Sequence, residues 1–257
     1  MSISSGSSSN SANSNDANYS GIRELADAEQ GLRNYYENIV NRVLEGQIAS
    51  TFNGKNTRIL EFGAGTGFLA EIIFEKTGIK ADCIEIDPEL IQIIRGKGFT
   101  CFESIAQIQE KYDLIYSSNV MEHIEDDAYT FKTLRTLIAK NGSISVYVPA
   151  FMLLFSDLDR TVGHFRRYSK VDLITKVENA GFTVDSVNYV DSLGFPASLL
   201  IRFFGYKSNA NLGGLRSMQI YDRYIFPVSR FFDVIGFRKL FGKNLILRAS
   251  IKEKSFE

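Results

Sequence analysis

Three glycines at alternate positions, Gly63, Gly65 and Gly67, follow the apolar run Arg58-Ile59-Leu60-Glu61-Phe62 and open a second run carrying Phe68, Leu69, Ile72, Ile73 and Phe74. The first run reads as a strand and the second as a helix. A backbone that takes positive φ, or that passes close against a ligand, needs residues without Cβ. A strand-to-helix turn of this kind belongs at the carboxyl edge of an open α/β sheet, where ligands bind. Its spacing narrows the ligand. A dinucleotide fingerprint, G-x-G-x-x-G, places its third glycine three residues after the second. Here that position is Phe68, and the glycine comes one residue early at Gly67. No Lys-Ser/Thr pair follows to complete a phosphate loop. A nucleoside without phosphates fits better than a pyrophosphate, and a glycine turn with no ligand is the plain alternative.

The surrounding pattern predicts the frame for such a loop. Ala81–Ile86 is a second strand, and Pro88 suits the first turn of the helix after it. Phe99–Phe102, Tyr112–Tyr116, Ser143–Val148, Phe182–Val190 and Asn244–Ile251 read as further strands. The helix after Tyr116 is expected to end near Lys140 with Gly142 as its C-cap. Ser169 with Asp172 opens another helix, which stops at Gly181. Strands alternating with helices imply a doubly wound, mostly parallel α/β sheet. Ahead of it, Leu25, Leu32, Tyr36, Ile39, Val40, Val43 and Leu44 recur at helical spacing, and Asn53–Asn56 form a loop. Residues 1–20 are Ser- and Asn-rich and are expected to be disordered, because they offer too little apolar surface to offset their ordering entropy. Residues 21–257 are then one domain, with N-terminal helices over 21–52 and a helical insertion over 191–243.

A net charge of −1 indicates no class of partner. The two cysteines, Cys83 and Cys101, lie in strand-like runs and are expected to be buried thiols in a reducing compartment. The N-terminus lacks a basic segment followed by an apolar run. With no apolar run of the ~20 residues that a spanning helix needs, the expectation is a soluble cytoplasmic protein.

Glu61-x-Gly63-x-Gly65-x-Gly67 resembles motif I of the class I S-adenosylmethionine-dependent methyltransferases. The resemblance implies a Rossmann-like, seven-stranded sheet whose last strand runs antiparallel, and S-adenosyl-L-methionine as cofactor with S-adenosyl-L-homocysteine as product. It implies that the loop (Glu61, Gly63, Ala64, Gly65, Gly67, Phe68) passes under the methionine part of the cofactor. Glu85, in Cys83-Ile84-Glu85-Ile86-Asp87-Pro88, takes the ribose hydroxyls, a sensible task for two acceptor oxygens, with Ile86 beside it. Glu103 and Ser104 stand near the adenine, and Asn119 follows the fourth strand. Asn34-Tyr35-Tyr36 is similar to an "N-Y-x-x-W-I" helix near the cofactor, which makes Tyr35 the contact.

Two further stretches are similar to a subgroup around the ubiquinone-biosynthesis O-methyltransferases and related glycan- and lipid-linked enzymes. Asn119-Val120-Met121-Glu122-His123-Ile124-Glu125-Asp126-Asp127 resembles "N-V-L-E-H-I-E-D-D". Val148-Pro149-Ala150-Phe151, with Gly163-His164-Phe165-Arg166-Arg167-Tyr168, resembles "V-P-A-F … G-H-x-R-R-Y". The similarity runs from about Asn34 to the last strand. It implies methylation of an oxygen on a small-molecule, lipid or glycan acceptor.

Both histidines of the chain fall in these loops. His123 is the candidate general base. The competing role is metal binding by Glu122 and His123, since some relatives use Glu-x-x-Glu-His for a divalent ion. Asn119 replaces the first Glu here and weakens a hard-cation site, so no metal is expected. Glu122, His164, Arg166, Arg167 and Tyr168 are the candidate acceptor-binding residues. The two arginines are read either as an anion clamp or as a solvated loop paired with Glu125 or Asp126. The insertion is rich in aromatics and cations and poor in acids, with only Asp222 and Asp233 within 192–251. It is read as a substrate lid, either packed helices with a basic outer face or a surface that meets a membrane or a lipid-linked acceptor through 199–243. Nucleic acid is disfavoured, because Ser117-Ser118-Asn119-Val120 does not resemble the Asn/Asp-Pro-Pro-Tyr loop of amino-group DNA methyltransferases. A nicotinamide-dependent oxidoreductase and a non-catalytic cofactor-binding partner subunit are the rival readings.

Overall fold

The computed structural model describes residues 14–45, 57–204 and 214–251. The expected Asn53–Asn56 loop and residues 1–13 of the expected tail lie outside the described residues. Helix α1 already runs Ser14–Gly31, so the expected tail and the first helix overlap over residues 14–20. Helix α2 (Arg33–Leu44) follows after a break at Leu32.

The chain then alternates: β1 (Ile59–Phe62), α3 (Phe68–Thr77), β2 (Asp82–Ile84), α4 (Pro88–Gly96), β3 (Cys101–Phe102), β4 (Tyr112–Ser118), α5 (Asp127–Thr136) and β5 (Ile138–Pro149). Short helix α6 (Asp157–Thr161), α7 (Lys170–Asn179) and β6 (Thr183–Val190) come next. The insertion holds α8 (Gly194–Phe204), α9 (Leu215–Ile220), a π-helical turn (Tyr221–Ile225) and α10 (Phe226–Val234), and β7 (Asn244–Ser250) closes the sheet.

The strand order is β3-β2-β1-β4-β5-β7-β6. Strand β7 runs antiparallel to both its neighbours, and the other six strands are mutually parallel. Period-two alternation divides the apolar residues between two cores. Leu60, Ile115, Ile144, Val146 and Leu247 face α5 and α7, where Phe131, Leu134, Leu173 and Val177 complete one core. Ile59, Leu114, Tyr116, Tyr147 and Ile246 face the other side, where Ile39, Val43, Ile72, Ile73 and Ile94 from α2, α3 and α4 complete the second. Cys83 and Cys101 sit opposite each other across β2 and β3, buried and unbridged.

The chain winds outward from β1 to β3, then returns to lay β4 on the other side of β1. Ligands of open α/β sheets bind at such a reversal, beyond the carboxyl ends of the strands. The glycine turn after β1 and the loop after β4 meet there.

Several local expectations match in mechanism. Asp87 caps α4 ahead of Pro88, accepting from the Glu89 and Leu90 amides at 2.8 and 3.3 Å. Ser169 caps α7, accepting from the Asp172 amide at 3.1 Å. Gly142 is a correction. Helix α5 stops at Thr136, and Gly142 lies inside β5, where the register with β4 shifts. A Cβ there would stand 2.9 Å from the Tyr112 carbonyl oxygen. That glycine answers a close backbone approach at a bulge, a signal that reads like a helix stop in sequence.

The insertion begins after Val190 and ends at Asn244, which pair with each other, and Asn244 also pairs with Pro149 at the carboxyl end of β5. Both of its ends are therefore at the ligand edge. Its acids are turned inward. Asp191 accepts from the Gly194 amide (3.0 Å), the Ser229 hydroxyl (2.8 Å) and the Tyr221 hydroxyl. Asp233 accepts from the Asp191 and Ser192 amides (3.0 and 3.1 Å) and the Ser192 hydroxyl. Asp222 accepts from the Asn34 and Tyr35 amides at 2.9 and 2.8 Å. Those are the second and third amides of α2, the ones an N-cap side chain normally takes. Leu32 stands at the cap position and offers no acceptor. Asp222 supplies it from 188 residues away.

Candidate active site

A cavity of about 600 Å³ opens at the reversal point, lined by the glycine loop, the ends of β2 and β4, and helices α1 and α2. Its size is in the range of small-molecule sites. Gly63, Gly65 and Gly67 all have positive φ, +74°, +55° and +78°. Gly63 has a second constraint, because a Cβ there would stand 2.4 Å from Val120. At Gly65 a Cβ would meet nothing within 4 Å, and it would project where the backbone borders the cavity. The loop amides of Gly63 and Ala64 donate to the Ile84 carbonyl at 2.9 and 3.0 Å, which ties the turn to the end of β2.

Glu85 organises this corner. Its carboxylate accepts from the Gly65 amide at 2.8 Å, from the Ile86 amide at 2.8 Å and from the Asp87 amide at 3.1 Å. An ionised carboxylate has about four acceptor positions, so capacity remains on a group that is 8% exposed and lines the cavity. Such a corner fits a nucleoside: a bare backbone cradle at Gly65 beside an acid able to take adjacent hydroxyls. Ile86, 82% exposed, stands at the mouth as an apolar surface.

Ala64, Phe68 and Asn119 also line the cavity, and Asn119 holds a positive φ of +54° at the end of β4. Glu61 lies at its floor, buried, and accepts from the Tyr116 hydroxyl at 2.8 Å. Burial pushes its carboxyl up to about 8. Gly67 is set back from the lining and caps α3 in the left-handed conformation.

Three expected contacts lie elsewhere. Tyr35 points away, its hydroxyl accepting from the Tyr147 hydroxyl at 3.0 Å and from Asn244 Nδ2 at 3.1 Å, with its ring edge-on to Phe226. Its neighbour Tyr36, one helical step round, lines the cavity instead. Glu103 and Ser104 follow the end of β3, exposed and outside the cavity lining, and Glu103 pairs with Arg95 at 3.3 Å.

Helical spacing announced the C-terminal part of α1, but not its seat on the cavity. Leu25 and Glu29 lie over the cavity, and Glu29 accepts from the Thr66 hydroxyl of the glycine loop. Burial raises the Glu29 carboxyl above its ordinary range. The seat of α1 is close: a Cβ on Gly31 would stand 2.8 Å from the Met218 Cβ in α9.

The second cluster adjoins the first. His123 is exposed at the rim, and its ring meets His164 edge-on at 4.5 Å. Desolvation, then the neighbouring His164, lowers the His123 pKa. His164 Nδ1 lies 2.9 Å from Asp159. In the neutral ring that contact places the proton on Nδ1 and leaves Nε2 as acceptor. Asp159 also takes two bonds from Arg167, at 2.8 and 3.1 Å. Burial would raise its carboxyl, but the bonds from His164 and Arg167 outweigh it and hold the group well below the ordinary range.

Glu122 is fully buried, and neither carboxylate oxygen has a hydrogen-bond partner among the described residues. Burial pushes it up to about 8. Its Oε1 is 3.9 Å from His164 Nε2. Ligand atoms of Glu122, His123 and His164 all lie within 4.8 Å of one another, so these three could hold a divalent cation, an arrangement the expectation of no metal did not include.

Of the two readings of the arginines, anion clamp or loop pairing, the geometry favours pairing, but with acids other than the side chains of Glu125 and Asp126. Arg166 pairs with Asp127 at 2.7 Å and donates to the Glu125 carbonyl at 2.7 Å, while Arg167 is spent on Asp159. Tyr168 is buried, its hydroxyl donating to Asp127 at 2.6 Å or to the Met121 carbonyl at 3.0 Å. These residues brace the loops that carry the histidines. The acids they use, Asp127 for Arg166 and Asp159 for Arg167, lie 39 and eight residues away in sequence, and no local pattern announces the pairing.

Residues 30–187 match the family model described as a methyltransferase domain. A curated relative, the malonyl-[acyl-carrier protein] O-methyltransferase 1 of Ilyobacter polytropus, is 25% identical over 182 residues, covering 63% of this chain and 68% of the relative. Among solved structures, a chain of the Haloferax volcanii complex between the Trm112 methyltransferase activator and a methyltransferase aligns with a TM-score of 0.56 at 12% identity, covering 89% of this chain and 97% of that one. A SAM-dependent methyltransferase from Archaeoglobus fulgidus aligns with a TM-score of 0.53 at 17% identity, covering 83% and 94%. At these identities the structural likeness speaks for the fold.

Proposed function

This chain belongs to the methyltransferase-domain family, and we propose from that premise that it moves the methyl group of S-adenosylmethionine to an oxygen of a small-molecule, lipid or glycan acceptor. One observation carries the reading: the Glu85 carboxylate, fastened to the Gly65 amide, borders a cavity that continues to His123. The bound sulfonium supplies a methyl group already activated for displacement. The residues of the chain then have to hold donor and acceptor in line and keep water out. Gly63, Ala64, Gly65 and Phe68 pass under the methionine part of the cofactor, Glu85 takes the ribose hydroxyls, and Asn119 borders the cavity from β4. Tyr36, Leu25 and Glu29 cover it.

His123, at the rim, takes the proton of an acceptor hydroxyl. His164, held by Asp159 and Arg167, keeps the His123 ring in place edge-on. The oxygen acceptor has support from the Ilyobacter polytropus relative, named as an O-methyltransferase.

A second reading rests on the unpartnered Glu122 oxygens. Glu122, His123 and His164 would hold a divalent cation that orients the acceptor oxygen. Metal-titration calorimetry separates it: micromolar Mg²⁺ or Mn²⁺ affinity that is lost in Glu122→Gln favours the cation.

The primary test is calorimetry with S-adenosylhomocysteine. Micromolar binding is expected. No binding, with tight binding of a nicotinamide dinucleotide, overturns the proposal in favour of an oxidoreductase. Cofactor binding with no change in cellular methylated metabolites on His123→Ala would point to a non-catalytic partner subunit.

A further inference from the structure

Helix α10 is built inside out. Phe226, Ser229 and Asp233 form its buried stripe, and the polar members of that stripe are engaged with Asp191, Ser192 and Leu193. Its outward stripe is apolar: Val228, Phe231 and Val234, at spacings of three, are 46%, 61% and 71% exposed, and Ile235 continues it. Helix α8 repeats the theme with Leu200 and Phe203 exposed one turn apart. A helix in a folded domain normally does the reverse. Contiguous exposed apolar surface marks a place where something docks.

Among the described residues of the insertion, the exposed charges have one sign. From Gly194 to Lys243 the only acids are Asp222 and Asp233, and both are buried acceptors. Arg216, Arg223, Arg230 and Lys239 are exposed. Arg202 ties α8 to the loop after β5, donating to the Leu153 and Phe155 carbonyls at 2.6 and 3.0 Å, and that loop adds exposed Met152 and Leu153.

We propose that the outer face of α8 and α10 docks on an anionic lipid bilayer. Aliphatic and aromatic side chains interspersed with arginine and lysine are the composition that enters the headgroup boundary of such a surface. A second copy of the chain would set cations against cations, and on a face where Val228, Val234 and Ile235 outnumber the exposed rings of Phe203 and Phe231, stacking gives a nucleic acid less than the headgroup boundary offers. No helix among the described residues is long and apolar enough to cross a membrane, so the contact is peripheral. Both ends of the insertion lie at the ligand edge, so the docking face belongs to an element rooted beside the cavity. The proposal rests on the surface alone and stands apart from the methyl-transfer reading.

Co-sedimentation of the full chain with vesicles tests it. Binding is expected to phosphatidylcholine vesicles containing phosphatidylglycerol and not to phosphatidylcholine alone, and it weakens as salt rises. Phe231→Ser/Val234→Ser should lower vesicle affinity by about tenfold, and Arg230→Glu/Lys239→Glu by about as much. Both variants keep the thermal midpoint and the S-adenosylhomocysteine affinity of the parent, so a failure of the docking proposal is distinct from a failure of the cofactor reading. Absence of vesicle binding overturns the proposal, as does binding that both variants retain. It is also overturned by self-association, or binding of an acidic carrier protein, that Phe231→Ser/Val234→Ser abolishes while vesicles stay unbound.

Discussion

The glycine loop and the insertion share one edge of the sheet and handle polar atoms in opposite ways. In the loop, Glu85 takes three backbone amides and still faces an open cavity. In the insertion, Asp191, Asp222 and Asp233 are enclosed by the amides and hydroxyls they accept, and apolar side chains face outward. An enclosed carboxylate stays only where donors surround it. The inward side of a helix is thus set by where the donors are, and hydropathy alone does not reveal it.

The largest effect that could break this contrast is at Asp233. Replacing it with alanine leaves the Asp191 and Ser192 amides buried without an acceptor, and the expected loss is about 3 kcal/mol in urea unfolding. A loss within error would mean the inward acids are incidental. Next is Glu85→Ala, which should weaken S-adenosylhomocysteine binding by about 2 kcal/mol, since charge-assisted bonds to the cofactor and to the loop go together. Calorimetry reads it, and an unchanged affinity removes the ribose role. Asp222→Ala strips α2 of its cap and should cost about 1 kcal/mol of stability, seen as a lower thermal midpoint. The smallest effect sharpens the contrast most: Phe231→Ser, despite deleting an aromatic ring, should change stability by less than about 0.5 kcal/mol, because that ring is 61% exposed.

These differences explain what could be read from residues in order. The alternation of strands and helices, the turn at Gly63–Gly67 and the position of Glu85 are local, carried by periodicity and by glycines that must take positive φ. They fix the doubly wound sheet and the cavity at its reversal. What escaped depends on distant partners. Arg166 and Arg167 read either as an anion clamp or as partners of Glu125 or Asp126, because their actual partners, Asp127 and Asp159, enter only through the fold. Tyr35 and Tyr36 are neighbours with the same chemistry, and only the packing of α2 on Phe226 and Phe68 settles which one turns to the cavity. Gly142 read as a helix stop because a bulge and a cap ask for the same residue. The insertion was legible as amphipathic, but which side faces out was not.

The cap that Asp222 gives to α2 has a consequence in time. A chain emerging from the ribosome releases its first two helices long before residue 222, and domains generally form as their sequence becomes available. Until the insertion arrives, the Asn34 and Tyr35 amides lack their acceptor and Gly31 lacks Met218 to rest on. The central strands have by then been made, yet the roof over the glycine loop is still waiting for its fastening. Helices α1 and α2 are thus fastened by residues of the insertion, Asp222 standing 188 residues after Asn34, so the cavity reaches its finished shape only once the insertion has been made.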